Sequence, residues 1–320
     1  MGTVQACYNS LIIVGKLRKQ SFGEGIYMGV DVTIKNKQLF KKPLTVSDLT
    51  LGKYQCGVPD QYGRSSRKPG AGDLVIYDEN RIGRGVVAFS WSGSVRNQID
   101  LRLNSLSTYT DIDMFCEIVK NILCVWKAKK FEWDGVEYTE ADLGNLIAEQ
   151  KNFTLDLLAD IDNVGKGRND YITIPCALIN LDLDIGMLKA CGTSKDEKSY
   201  ADLLHKLQSP DLYYAVPSIF EHKERKKEFF GNYVITTNTG TIFPVKASVP
   251  LMFTNPNTGK ALECTDFRVS LFDYDKKQMI GTLDFDDFIR KADISNCPEF
   301  DASHVVLKGM SAEELQGLLD

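Results

Sequence analysis

The stretch Asp73-Leu-Val-Ile-Tyr-Asp-Glu-Asn-Arg-Ile-Gly-Arg-Gly-Val-Val-Ala-Phe-Ser90 decides the fold class. It reads as a strand, a tight polar turn and a second strand. Arg81 and Arg84 alternate with Gly83 and Gly85 at the hinge. Strands joined by so short a turn pair antiparallel, because a parallel pair needs a crossover of a dozen or more residues. Nowhere else in the chain do fixed positive charge, a permissive backbone and rigid flanking strands coincide.

Working outward, the same hairpin logic recurs. Val30–Ile34 alternates as a strand, and Lys35-Asn-Lys37 is a turn. Leu44–Asp48 opens a short helix with Ser47 as its cap. Val95–Leu103 alternates as a half-buried strand, and Asp134-Gly135 is a hairpin turn between Phe131-Glu-Trp and Val136-Glu-Tyr. The best helix begins near Thr110, with acids in its first turn. Its stripe Ile112, Phe115, Val119, Ile122, Leu123 and Trp126 recurs at spacings of three and four. Further helices are predicted after Thr139 and over Lys195–Leu207. Strands are predicted at Tyr171–Ile174, Tyr233–Thr236, Thr241–Val245, Val249–Phe253, Phe267–Phe272 and Met279–Leu283. Phe285–Lys291 is a short helix, Ser311-Ala-Glu-Glu314 is a capping box, and Glu221–Glu228 is a solvated helical face. Hairpins outnumber plausible crossovers, so the expected class is α+β, with mixed, mainly antiparallel sheets and packed helices.

A polar, glycine-bearing run, Asp162–Asp170, marks the expected domain boundary. It divides an N-terminal α+β domain, residues 28–161, from a C-terminal α+β domain, residues 171–320. Residues 1–27 are either a translated leader, with Met28 as the natural start after the purine-codable Gly23-Glu-Gly25, or an extra N-terminal strand at Ser10–Leu17. Both readings stay open.

Composition removes several function classes. The net charge is −5, which opposes a chain-wide nucleic-acid field. No apolar run reaches the roughly 18–20 residues that span a bilayer, and no export signal precedes the fold, so a cytoplasmic address and no membrane partner are expected. The eight cysteines form no Cys-x-x-Cys pair and read as reduced, mostly buried thiols. Three histidines, no Gly-x-Ser-x-Gly and no His-Glu-x-x-His leave little basis for triad or metal chemistry. Asp273–Asp284 carries acids where a calcium loop has them, yet holds Gln278 where that loop needs glycine, so it reads as a lysine-tipped hairpin. No phosphate loop of the right spacing occurs. Trp126 and Trp133 bracket lysines as a base-stacking pair would, but Trp126 continues the core stripe.

One constellation remains. Arg81 and Arg84, with Arg64 from the preceding loop, are candidate anion-binding residues, because guanidinium forks match phosphate and carboxylate and glycines let backbone N–H groups approach. The competing structural reading pairs Arg81 with Asp78 or Glu79 to fasten the turn, and it is favoured.

Val32-Thr-Ile-Lys-Asn-Lys37, the strand ending Ile76-Tyr-Asp78, Arg81-Ile-Gly-Arg-Gly85 and the long helix after Thr110 carry a resemblance over Met28 to Leu158. There the chain resembles a bacterial family of uncharacterised proteins, known mainly from Gram-positive organisms. The resemblance implies a bacterial cytoplasmic protein and transfers no activity, cofactor or catalytic residue. The function expected is therefore non-catalytic binding of an unknown protein or small anionic ligand, with no cofactor or metal and with nucleic acid disfavoured. The alternative is a hydrolase-like enzyme with a nonlocal carboxylate–arginine site, built around Asp78 and Arg81, acting on an anionic substrate.

Overall fold

A computed structural model of the chain describes residues 29–161, 170–250, 253–256 and 258–320. The alternatives for residues 1–27 fall outside them. The contacts divide the chain into two units, one running to Ser209 and one from Pro210 to Asp320. Most of the polar run predicted as a boundary also falls outside the described residues. The segment that follows it, up to Ser209, groups with the first unit.

The first unit is built on a seven-stranded, wholly antiparallel sheet ordered β2-β3-β4-β5-β1-β6-β7. Its strands are β1 (Val30–Lys35), β2 (Gln55–Gly57), β3 (Gly72–Tyr77), β4 (Val86–Trp91), β5 (Gln98–Leu103), β6 (Phe131–Trp133) and β7 (Val136–Tyr138). The predicted hairpin is β3–β4, with Leu74 opposite Ala88 and Ile76 opposite Val86. The turn Asp134-Gly135 has φ of 51° and 81°, the left-handed pair that a two-residue hairpin of primed type requires.

One face of the sheet packs on helix α2 (Tyr109–Trp126), which buries every residue of the predicted stripe. Its cap lies two residues before the predicted start: Thr108 and Asp111 form a reciprocal capping box. The short helix α1 (Val46–Thr50) is likewise capped by Thr45 with Asp48, not by Ser47. In both cases a threonine three residues before an aspartate satisfies two orphan N–H groups at once. Trp126 is buried as expected, whereas Cys124 on the same helix is exposed, against the reading of a core thiol.

The helices α3 (Leu143–Ala159), α4 (Ile185–Ser194) and α5 (Glu197–Gln208), and the antiparallel pair β8 (Tyr171–Pro175) and β9 (Asn180–Asp184), complete this unit. They supply the second face of the hairpin. Leu74 and Ile76 point into the main core, while Val75, Tyr77 and Val87 form a smaller core with Ile82, Ala177 and Leu178. The hairpin is thus buried on both sides, which explains why Leu74–Tyr77 is continuously apolar instead of alternating.

The second unit holds a four-stranded sheet ordered β11-β12-β14-β15 and a three-stranded sheet ordered β10-β13-β16. The strands are β10 (Tyr213–Tyr214), β11 (Ser218–Glu221), β12 (Phe229–Thr236), β13 (Thr241–Pro244), β14 (Asp266–Asp273), β15 (Gln278–Asp284) and β16 (His304–Leu307). The pairs β12–β14 and β10–β13 are parallel and the rest antiparallel. Helices α6 (Phe285–Lys291) and α7 (Ala312–Gly317) pack over a core centred on Tyr233, Phe243, Phe285 and Phe288. Asp273–Gln278 closes a hairpin, as the lysine-tipped reading expected. The run Glu221–Glu228 is not a helical face. Glu221 pairs with Phe229 and His222 N–H donates to the Glu228 carbonyl, so the charges cap a hairpin whose strands dictate the turn. Val249 and Pro250 lie outside any strand. The chain is an α+β protein in both units.

Candidate functional site

The hairpin turn, residues 78–85, collects more buried polar contacts than its length suggests. Asp78 starts it as an Asx turn, accepting from Asn80 N–H at 2.9 Å. Arg81 N–H donates to the Asp78 carbonyl at 3.2 Å, but its guanidinium does not pair with Asp78 or Glu79. Its Nη1 donates to Asp202 Oδ1 at 2.6 Å and its Nη2 to the Lys198 carbonyl at 3.4 Å, both on α5. Ile82 N–H donates to His205 Nδ1 at 3.0 Å, which requires that nitrogen to be the unprotonated one. Gln208 Nε2 donates to the Gly83 carbonyl at 2.9 Å while its Oε1 accepts from Leu178 N–H at 2.9 Å. Helix α5 therefore grips the turn through Asp202, His205 and Gln208, spaced three residues apart on one face.

From the other side comes Asp111, the capping-box residue of α2. It is 1 % exposed, and its two oxygens accept from Arg84 N–H, Gly85 N–H, Thr108 N–H and the Thr108 hydroxyl at 2.9–3.0 Å. Burial pushes its carboxyl up from the ordinary aspartate range, and these four bonds oppose that shift. Gly83 is required here because a Cβ would collide with the Asp111 carboxylate. Gly85 sits at φ 73°, where a Cβ would also meet the Ile76 carbonyl at 2.7 Å. Arg84 is buried. Its Nε donates to the Pro175 carbonyl at 2.9 Å and its Nη1 to the Ser105 carbonyl. Beside it, burial lifts the Cys176 thiol to about 12 and the Tyr200 phenol well above its ordinary value. Tyr200 donates to the Leu106 carbonyl at 2.6 Å. Neither group is ionised near neutral pH, so neither is a nucleophile there.

The three arginines singled out in the sequence thus stand in separate settings. Arg84 is enclosed, and Arg81 is committed to α5. Arg64 lies in another loop, held by Asp60 at 2.8–2.9 Å and lying over the Tyr62 ring. Asp202 and Gln208 carry no signal in the sequence, whereas Asp111 reads there as an acid in the first turn of a helix and His205 as a histidine on a helix flank without a local partner.

A second region contrasts with this enclosed one. Between β1 and α1, residues 36–43 form a loop whose base is tightly held. Asn36 Nδ2 donates to the Lys42 carbonyl at 3.3 Å, Trp126 Nε1 to the same carbonyl at 2.9 Å, and Gln38 Nε2 to the Val125 carbonyl at 3.4 Å. Its tip holds Leu39, 90 % exposed, and Phe40, 88 % exposed. Exposed lysines flank them in the chain, Lys37, Lys41 and Lys42, and three more, Lys127, Lys129 and Lys130, follow the end of α2 to which the loop base is bonded. Lys35 and Lys130 pair with Glu132 and Glu137, and Lys41 bonds Asn97 Oδ1 at 2.8 Å. Lys37, Lys42, Lys127 and Lys129 have no ion-pair partner among the described residues. In a chain of net charge −5 this is a local excess of positive charge around bare apolar surface.

In the second unit two histidines are set among polar groups. His304 Nδ1 lies 2.9 Å from Asp301 Oδ1, and its Nε2 lies 3.0 Å from the Tyr214 hydroxyl. His222 Nε2 lies 3.0 Å from Asp266 Oδ2, to which Arg225 also donates, while Arg268 donates to Asp266 Oδ1. Burial would raise the Asp266 carboxyl, but Thr265, Arg268 and His222 outweigh it and hold the carboxyl below its ordinary value.

Fold and sites together define an α+β protein of mixed, mainly antiparallel sheets with an internally satisfied polar clamp. The chain belongs to the family described as Domain of unknown function (DUF4299), whose model matches residues 29–318 and so spans both units. Comparison with curated proteins and with solved structures finds no match. No described helix is long and apolar enough to cross a membrane.

Proposed function

We propose that this protein binds an anionic partner, without chemistry of its own, through the lysine-ringed loop of residues 36–43, and that it does so in the cytoplasm. The observation that carries the reading is the near-complete exposure of Leu39 and Phe40 on a loop whose base is fixed and whose surroundings are cationic. Scattered exposed apolar residues are ordinary, but two adjacent ones at the tip of a loop fixed at its base favour a contact surface. Arg64 and Arg81 remain secondary anion contacts, since an anion there has to displace Asp60 or Asp202. Arg84 contributes by shaping the turn. The test is retention on immobilised poly-L-glutamate. Wild type should elute at clearly higher salt than the Lys37→Gln/Lys41→Gln/Lys42→Gln variant, and equal elution would defeat the reading.

A second reading, hydrolase-like chemistry, draws on the Asp301–His304–Tyr214 series, in which a carboxylate orients an imidazole toward a hydroxyl. Turnover of chromogenic phosphate or carboxylate esters that is lost in His304→Gln would favour it over the binding reading.

A further inference from the structure

We infer that the anionic partner of the loop is a lipid bilayer rich in acidic headgroups, on which Leu39 and Phe40 insert as a wedge. This rests on the docking reading above and names its partner. Three features of the loop favour a bilayer over an acidic protein.

The first is shape. Leu39 and Phe40 are 90 % and 88 % exposed, so no wall of the unit stands beside either side chain. A protein partner has to bring a matching pocket for such a protrusion, whereas hydrocarbon opens around it. The second is preorganisation. Both ends of the loop are tied to the sheet and to α2 through the Lys42 carbonyl, Asn36, Gln38 and Trp126, so little backbone order is lost on insertion. The third is the pairing of two weak signals. Reversible membrane anchoring characteristically combines a modest apolar insertion with a polybasic patch. Burying Leu39 and Phe40 is worth roughly ten- to a hundredfold each in affinity. Each lysine near an acidic leaflet adds about fivefold. Lys37, Lys41 and Lys42 share the loop with the apolar pair, and Lys127 and Lys129 follow the helix end bonded to its base, so both signals arise in one region of the unit. The expectation of no membrane partner was drawn from spanning segments, and a two-residue wedge is invisible to that criterion.

The experiment uses the full chain and vesicles of phosphatidylcholine with about one third phosphatidylserine, with phosphatidylcholine alone as reference, read by co-sedimentation at about the Debye screening of 0.1 M salt. The protein should sediment with the acidic vesicles, only weakly with the neutral ones, and at least about thirtyfold less in Leu39→Ser/Phe40→Ser. That variant should fold normally, because both side chains are already in water, and an unchanged thermal midpoint checks this. Sedimentation unaffected by Leu39→Ser/Phe40→Ser overturns the wedge. If acidic vesicles fail while lysine-dependent retention on poly-L-glutamate persists, the partner is an acidic protein: the lipid inference falls and the docking reading stands. If both fail, the docking reading falls with it.

Discussion

Replacing Asp111 with alanine tests the polar clamp at its centre. The carboxylate satisfies three buried backbone N–H groups, those of Arg84, Gly85 and Thr108, and the Thr108 hydroxyl. Truncation leaves those donors buried without acceptors, at about 1–3 kcal/mol each, and abolishes the capping box of α2, worth about 1 kcal/mol. Geometric relaxation and entering water recover part of this, so a loss of about 3–6 kcal/mol is expected, a large fraction of the roughly 5–15 kcal/mol that holds a domain together. Asp111→Asn should fall between, since its amide offers one acceptor oxygen in place of two. Trp91, Trp126 and Trp133 are the only tryptophans and all lie buried in the first unit, so their fluorescence during a urea titration reports this unit alone. With a slope of about 1–3 kcal/mol per molar urea, Asp111→Ala should lower the midpoint by about 1 M or more. The neighbouring Asp113, an exposed partner of Lys151, is the control and should cost less than about 1 kcal/mol as alanine. A loss at Asp111 no larger than at Asp113 would refute the clamp.

The two hinge arginines should separate in the same titration: Arg84→Gln strips donors from the Pro175 and Ser105 carbonyls and should cost about 2–4 kcal/mol, whereas Arg81→Gln loses a part-exposed pair with Asp202 and should cost at most about 1 kcal/mol. In the second unit, the Lys276 backbone N–H and then its ammonium hold the Asp273 carboxyl below its ordinary value, against burial. A depressed carboxyl stabilises the fold above its unfolded pKa, and that stability disappears as pH falls through the lower folded value. Hydrogen-exchange protection factors in β14–β15, corrected for the intrinsic rate at each pH, should therefore fall below about pH 4 in wild type, and Asp273→Asn should remove much of that dependence.

What the sequence disclosed follows the range of the interactions concerned. The β3–β4 hairpin, the Asp134-Gly135 turn and the stripe of α2 rest on contacts within a few residues, and each is found where periodicity placed it. The charged run Glu221–Glu228 misled because its composition suits a solvated helix equally well, and only the pairing of β11 with β12 decides for a turn. Helix α4 has no clean stripe and went unread; it is positioned by α3, against whose Leu158 and Ala159 backbone Gly192 fits without room for a Cβ. The hinge arginines were visible, but Asp202 and His205 are 121 and 123 residues away from the groups they bind, a separation no local pattern spans. Leu39-Phe40 was unremarkable in the sequence, because an apolar pair beside a strand ordinarily belongs to a core.

The grip of α5 on the β3–β4 turn has a consequence for biosynthesis. The strands leave the ribosome long before residues 197–208 exist, so the nascent sheet must wait with Ile82 N–H and the Gly83 carbonyl lacking their final partners. Closing so distant a contact is slow relative to making the hairpin itself. A first unit lacking its last helix has no His205 or Gln208 to meet Ile82 N–H and the Gly83 carbonyl, so the hinge is completed only when α5 docks.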